Sequence, residues 1–201
     1  MKNMTIWNIA RACKGHLAVP AGKHTGTCPA AGMAVIRGYS GKEAAGIVID
    51  SRKVEPGDIF VAIRGERVDG HQFIREVFDK GAIAVVCEEE PEELPGPCIR
   101  VEDSLAALRQ IAAFYREQMP IPIVGITGSV GKTSTKEFVA SVLAQKYKTH
   151  KTQGNFNNEI GVPLTLLAMP EDTEAAVVEM GINHFGEMHR LSEMVKPDIC
   201  V

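Results

Sequence analysis

The sequence predicts an α/β protein: a small N-terminal α/β unit, then the first part of a doubly wound parallel-sheet domain built on a phosphate loop (P-loop). Three observations predict it. Short apolar runs alternate with amphipathic stretches from Gly46 onward, the alternation that builds parallel sheets. A Gly-x-x-Gly-Lys-Thr motif lies between one such run and a helical stretch, the setting a phosphate-binding loop requires. Met119-Pro120-Ile121-Pro122 separates the halves: two prolines close a helix before a new strand opens.

Taken in order, Ile6, Ile9, Ala10 and Cys13 recur at helical spacing. The Gly- and Ala-rich stretch 20–46 reads as loops and short strands. Residues 46–50 form the first clear strand, and Glu55-Pro56-Gly57-Asp58 turns the chain into a second at 59–63. Phe73, Val77 and Phe78 mark one face of a helix ending near Gly81. The continuous apolar run 83–87 suggests a strand buried on both faces. The acidic, proline-rich stretch 88–97 reads as a surface loop, 98–101 as a short strand, and Asp103 as the cap of a helix over 104–118.

Past the prolines, 121–127 reads as a strand. The helix after Gly131 extends to about Tyr147, with Phe138, Val142 and Leu143 on one side. A short strand at 149–152, a helix at 160–169 with Pro163 in its first turn, a strand at 176–180 and a helix at 186–195 follow. The chain stops at Asp198-Ile199-Cys200-Val201, a strand just beginning. It therefore reads as a fragment of a longer protein, with an exposed sheet edge.

Composition narrows the class. With 45% hydrophobic and 23% charged residues the chain is an ordinary globular one. Twenty-two Lys and Arg against 25 Asp and Glu, with no basic block, argue against nucleic acid as a partner. The five cysteines (Cys13, Cys28, Cys87, Cys98, Cys200) show neither disulfide nor zinc spacing and read as reduced, mostly buried thiols. The N-terminus lacks the apolar core of a signal peptide, and no run approaches the ~20 apolar residues of a membrane span. The expectation is a soluble, cytoplasmic monomer.

The strongest motif is Gly125-Ile126-Thr127-Gly128-Ser129-Val130-Gly131-Lys132-Thr133-Ser134. Gly128 and Gly131 let the backbone turn its N–H groups inward at phosphate oxygens, and the following helix adds its positive end. Lys132 can reach the β- and γ-phosphates, and the Thr133 hydroxyl can ligate Mg²⁺. The common pattern has a glycine six residues before the lysine. Ile126 stands there instead, so Gly128 opens a tighter loop. A nucleotide-binding loop is the reading.

Glu179 closes the strand Val177-Val178-Glu179-Met180, at the edge where α/β ligand sites lie. A metal ligand and a solvated edge glutamate are equally open for it. Asn183-His184 follows as a candidate for substrate or metal contact, whereas His16, His24, His150 and His189 read as ordinary hydrogen-bonded histidines. Gly154-Asn155-Phe156-Asn157-Asn158-Glu159-Ile160-Gly161 is either a capping loop or a polar substrate-recognition loop. The sequence leaves both open.

Together these segments resemble the Mur ligase family. The residues that carry the resemblance are 127–136, 155–164 and 178–184, with 50–62 (Asp50-Ser51-Arg52-Lys53-Val54-Glu55-Pro56-Gly57-Asp58 and on to Ala62) and 65–74 (Gly65-Glu66-Arg67-Val68-Asp69-Gly70-His71 and on to Ile74) upstream. It covers about 47–201 well and the first forty residues loosely. A run of such motifs in order is more specific than the loop alone.

The resemblance implies an N-terminal UDP-substrate-binding domain (1–118) and part of a central ATP-binding domain (119–201). It implies an ATP- and Mg²⁺-dependent amide ligase of peptidoglycan precursor synthesis. Its small-molecule substrates would be UDP-N-acetylmuramoyl-tripeptide and D-alanyl-D-alanine, joined through an acyl phosphate. By the same resemblance Lys132 neutralises the γ-phosphate and Thr133 and Glu179 hold Mg²⁺, so Lys132, Glu179 and His184 are the catalytic candidates. Thr127, Gly128, Ser129, Val130, Gly131, Lys132, Thr133 and Ser134 would hold the nucleotide. Ser51, Arg52, Asp69, Gly70 and His71 would lie at the uridine nucleotide, with Asn157 and Asn158 on the peptide side.

The rest of the central sheet, a further metal-binding histidine, a modified lysine and a C-terminal domain would lie beyond Val201. The chain alone is therefore expected to be inactive. The rival readings are another amide ligase of the superfamily and a non-catalytic nucleotide-binding module.

Overall fold

The computed structural model describes residues 1–20, 41–65, 68–182 and 184–201. The chain forms two compact units, Met1–Leu108 and Arg109–Val201.

The first unit opens with α1 (Ile6–Ala12), capped by the Thr5 hydroxyl, which accepts the Asn8 amide. The helical spacing read from Ile6, Ile9 and Ala10 is its buried face. Five strands follow: β1 (His16–Ala18), β2 (Ile47–Val48), β3 (Ile59–Val61), β4 (Ala84–Cys87) and β5 (Cys98–Arg100). Their order in the sheet is β1-β5-β4-β3-β2, parallel throughout except that β1 runs antiparallel to β5. Every residue of β3 and β4 is buried, which explains why 83–87 shows no polar alternation.

One face of this sheet packs Phe60, Val85 and Cys98 against Ile74 and Val77 of α2 (Ile74–Asp79). The turn at Glu55–Asp58 is closed by Asp58 Oδ2, which accepts the Glu55 amide at 2.9 Å, while Gly57 takes a positive φ of 97°. The strand β1 has no counterpart in the sequence reading. Three residues are too few to show a period, and Leu17 is held through its register with Ile99. Cys13, Cys87 and Cys98 are buried free thiols, as expected, while Cys200 is exposed. Cys28 and His24 lie outside the described residues.

The division between the units falls within α3 (Ser104–Glu117), whose N-terminus is capped by Asp103 Oδ1 accepting the Leu105 and Ala106 amides. In the second unit the strands are β6 (Ile123–Ile126), β7 (Thr149–Lys151), β8 (Ala175–Glu179) and β9 (Ile199–Cys200), and the helices α4 (Lys132–Leu143), α5 (Gly161–Leu167) and α6 (Glu187–Val195). The sheet is parallel in the order β7-β8-β6-β9. Among the described residues no helix is long and apolar enough to cross a membrane.

One reading needs correction. Phe138 and Val142 do not face the sheet; they are 73% and 72% exposed. The face turned inward is Lys136, Val139, Ala140 and Leu143, against Ile126 and Val177. Helix phase is set by which residues fit against β6 and β8, and small Ala140 fits where a phenylalanine would not. The helix also ends at Leu143 rather than near Tyr147.

Arg116 ties this unit together. Its buried guanidinium donates to the carbonyls of Val195 (2.9 Å), Met119 (2.6 Å) and Lys196 (3.3 Å), and it lies 3.8 Å from Asp198, which accepts the Ile123 amide. One side chain thus anchors the end of α6 and the approaches to β6 and β9. Arg116→Met would strand these carbonyls without a donor, and should destabilise the second unit by roughly 2–4 kcal/mol. Urea unfolding would show this as a lower midpoint, and an unchanged midpoint would contradict the anchoring role.

Candidate functional site

The loop between β6 and α4 begins where Thr127 donates its amide to Val201 O at 2.8 Å. Gly128 (φ 132°) and Gly131 (φ 82°) take backbone conformations that residues with a Cβ rarely adopt, which accounts for glycine at both positions. Gly128, Ser129, Val130, Gly131, Thr133 and Ser134 are exposed, and Thr127 and Lys132 partly so. Lys132 folds back, its ammonium donating to Gly128 O at 2.7 Å. The loop therefore presents open backbone N–H groups at the start of a twelve-residue helix, a geometry suited to phosphate.

Beside it stands Glu179, at the last residue of β8 and 1% exposed. Parallel pairing of β8 with β6 sets Glu179 level with Ile126, just before the loop. Its amide donates to the buried Thr152 hydroxyl at 2.9 Å, fixing the strand end. Its Oε1 accepts the Thr133 hydroxyl at 3.3 Å and the Asn157 side-chain amide at 2.9 Å. Its Oε2 is buried and accepts no hydrogen bond; the Lys136 ammonium lies 3.6 Å away. Glu179 is thus not a solvated edge residue.

A carboxylate and a hydroxyl are the hard oxygen donors Mg²⁺ takes, and the unbonded Oε2 fits a cation. Among the described residues no group of three or more His, Cys, Asp or Glu converges on a metal site. An ion here would complete its shell from phosphate and water.

The Asn-rich loop divides its labour. Asn157 turns inward to Glu179, and its carbonyl accepts the Gly181 amide at 2.7 Å. Asn158 caps α5, its Oδ1 accepting the Ile160 and Gly161 amides. The capping reading holds for Asn158, whereas Asn157 bonds a protein carboxylate. His184 is exposed, with its backbone amide donating to Glu187 Oε2. Among the described residues no hydrogen bond or ion pair joins it to Lys132, Thr133 or Glu179, and Asn183 lies outside the described residues.

The residue that sequence reasoning missed is Lys136. It is 1% exposed and reaches Glu179, Glu137 Oε1 (3.3 Å) and Gly154 O (3.4 Å). Glu137 pairs in turn with Lys151, whose ammonium, more than Lys136, holds the Glu137 carboxyl below the usual carboxylate range. A signal was present: Lys136 heads the stripe Lys136–Ala140–Leu143, and a lysine at a core position calls for a buried anion.

In the first unit, the other candidates gather at the C-terminal ends of parallel strands. Ser51 is buried in a short 3₁₀ turn after β2, and its carbonyl accepts the Lys80 ammonium. Arg52 is exposed and forks onto Asp50, holding that carboxyl down to about 2. After β3, Asp69 Oδ1 accepts the His71 amide (2.9 Å). His71 Nε2 accepts the Glu88 amide (2.9 Å), so the ring proton sits on Nδ1, 2.6 Å from Asp69 Oδ1. Gly70 lies against the backbone of Ile63, where a Cβ would come within 3.0 Å. Asp69, Gly70 and His71 thus lock two strand ends together, and His71 borders a cleft of about 350 Å³ that Arg75 and Glu92 also line.

Comparison with known proteins decides the family. Residues 43–116 match the Mur ligase family catalytic domain, and residues 126–201 match the Mur ligase middle domain. The chain belongs to the Mur ligase family. The UDP-N-acetylmuramoyl-tripeptide–D-alanyl-D-alanine ligase of Bacillus subtilis is 41% identical over 206 residues, covering all of this chain and 41% of that protein.

Among solved Mur ligases, the Acinetobacter baumannii D-alanyl-D-alanyl ligase superposes with a TM-score of 0.80 at 33% identity, covering 98% of this chain and 40% of that one. A Thermotoga maritima MurF ligase, solved in complex with ADP, gives 0.70 at 37% identity over 76% of this chain and 35% of that one. The chain spans about two fifths of the length of the first of these relatives.

Gly161 underlies the placement of Asn157, because a Cβ there would lie 2.5 Å from the Phe156 backbone. Around Gly131 nothing lies within 4 Å, so only its φ opposes a side chain. Gly161→Ala should therefore cost about 2–3 kcal/mol and Gly131→Ala about 1 kcal/mol. Chemical denaturation of the two variants checks this, and the reverse order would contradict the packing described.

Proposed function

We propose that this chain is the UDP-peptide- and ATP-handling part of a cytoplasmic ligase that adds D-alanyl-D-alanine to UDP-N-acetylmuramoyl-tripeptide. The observation that carries the proposal is the buried Glu179 carboxylate, bonded to the hydroxyl of the phosphate-loop residue Thr133 and to Asn157. A bare nucleotide-binding module needs the loop but not this connection to an amide-rich segment. The names of the relatives supply the substrates, and the ADP complex of one of them supports the nucleotide.

On this reading the terminal carboxylate of the UDP-linked tripeptide attacks the γ-phosphorus of ATP, and ADP leaves. The amine of D-alanyl-D-alanine then attacks the acyl carbon, loses a proton and expels phosphate, leaving an amide. Bound Mg²⁺ would neutralise phosphate charge, with Thr133 and Glu179 as its protein ligands. Lys132 would leave Gly128 O for the γ-phosphate. The loop amides hold the remaining oxygens, so the protein's part is positioning and charge stabilisation. Asn157 keeps the carboxylate aimed.

For the UDP-peptide we assign the edge formed by Ser51, Arg52 and the Asp69–His71 turn. Arg52 is its most exposed cation and would exchange its bonds to Asp50 for bonds to the diphosphate. Asp69, Gly70 and His71 act there chiefly by holding the strand ends in register. Asn158 serves through its cap on α5, and His184 stands exposed beyond the end of β8.

Two variants test the assignments by calorimetry. Lys132→Ala should lose Mg²⁺-ATP affinity by about 100-fold or more, since one charge-assisted contact to phosphate is worth roughly 1.5–3 kcal/mol and this lysine supplies several. Its circular dichroism should stay unchanged; retained ATP affinity would sink the loop assignment. Arg52→Ala should weaken binding of UDP-N-acetylmuramoyl-tripeptide about tenfold and spare ATP, and an unaltered affinity would remove Arg52 from the site.

A further inference from the structure

The charges around Glu179 are not those of a resident cation site. Two ammonium groups, on Lys136 and Lys151, stand among two carboxylates, Glu137 and Glu179. Both carboxylates are already paired: Glu137 bridges Lys136 and Lys151, and Glu179 has Lys136 at 3.6 Å from Oε2. Lys136 is also tethered to Gly154 O and is 1% exposed, so it cannot swing into solvent to make room. The cluster is therefore charge-balanced and has no surplus negative charge to offer a cation.

We infer that Lys136 is a positioning residue that keeps Glu179 charge-neutral in the free protein, so that a divalent cation enters this site only together with a triphosphate. A dication approaching Oε2 alone meets an ammonium ion at close range and a single, already neutralised carboxylate. A triphosphate reverses the balance, because it brings several negative charges and the oxygen ligands that Mg²⁺ prefers to take from a nucleotide. Lys136 then remains with Glu137 while Glu179 turns its free Oε2 to the metal. The inference rests on the assignment of Thr133 and Glu179 as metal ligands.

The test is electron paramagnetic resonance of Mn²⁺ titrated into the 201-residue chain, with and without ATP. Wild type should immobilise Mn²⁺ only when ATP is present. Lys136→Met, which keeps the length and removes the charge, should bind Mn²⁺ without ATP at least about tenfold more tightly than wild type. Lys136→Arg should behave as wild type. A purely structural lysine would give the opposite result, lost order and no gain in metal binding.

Wild type that holds Mn²⁺ equally well with and without ATP overturns the inference, even if Lys136→Met does not fold. A folded Lys136→Met with no gain overturns it as well. Both of those outcomes leave the nucleotide assignment intact, whereas wild type that binds neither ATP nor Mn²⁺ with ATP removes both.

Discussion

A carboxylate buried at a strand end is the constraint on which the second unit depends. Taking a charge out of water costs several kcal/mol unless neighbours compensate it, and Glu179 is almost wholly enclosed. Its surroundings are therefore committed. Thr152 fixes its backbone, Thr133 and Asn157 share one oxygen, and Lys136 supplies the counter-charge. These residues come from three segments: the residue after β7, the first turns of α4 and the Asn-rich loop. One carboxylate thus holds in register the phosphate loop and the polar segment that faces it, and disturbing either disturbs the other.

The first unit solves a similar problem without buried charge. Its functional edge also lies at the C-terminal ends of parallel strands, where backbone groups run out of partners. The Asp69–His71–Glu88 chain of hydrogen bonds closes two of those ends, and the Asp50 cap closes a third. Among the cations left exposed beside them is Arg52, on the 3₁₀ turn after β2. On the proposed reading each unit offers an edge with a lysine or arginine to meet an anionic substrate, Lys132 in one and Arg52 in the other.

Much of this was legible in the sequence, for physical reasons. The strands 59–61 and 84–87 and residues 175–178 are buried on both faces and so read as unbroken apolar runs. Gly128 and Gly131 declare a loop because their backbone angles exclude most other residues. Less was legible where a residue's partner is distant in the chain. Asn157 and Asn158 are adjacent and chemically identical, yet one reaches Glu179 and the other caps α5, because the Gly181 amide fixes the backbone between them. Lys136 shows no partner in the sequence, and only the fold delivers Glu179 beside it, on β8. Phe138 and Val142 mislead for the converse reason: apolar character suggests an inner face, but the fit of Ala140 decides the phase of the helix. The strand β1 exists only through its pairing with β5.

The most direct test of the account is a crystal structure of this chain with Mg²⁺ and a non-hydrolysable ATP analogue. The account predicts that the ion contacts the Thr133 hydroxyl, the Glu179 carboxylate and phosphate oxygens, with the Lys132 ammonium moved from Gly128 O to the terminal phosphate. A nucleotide bound with its metal away from Glu179, or with Lys132 still on Gly128, would contradict it.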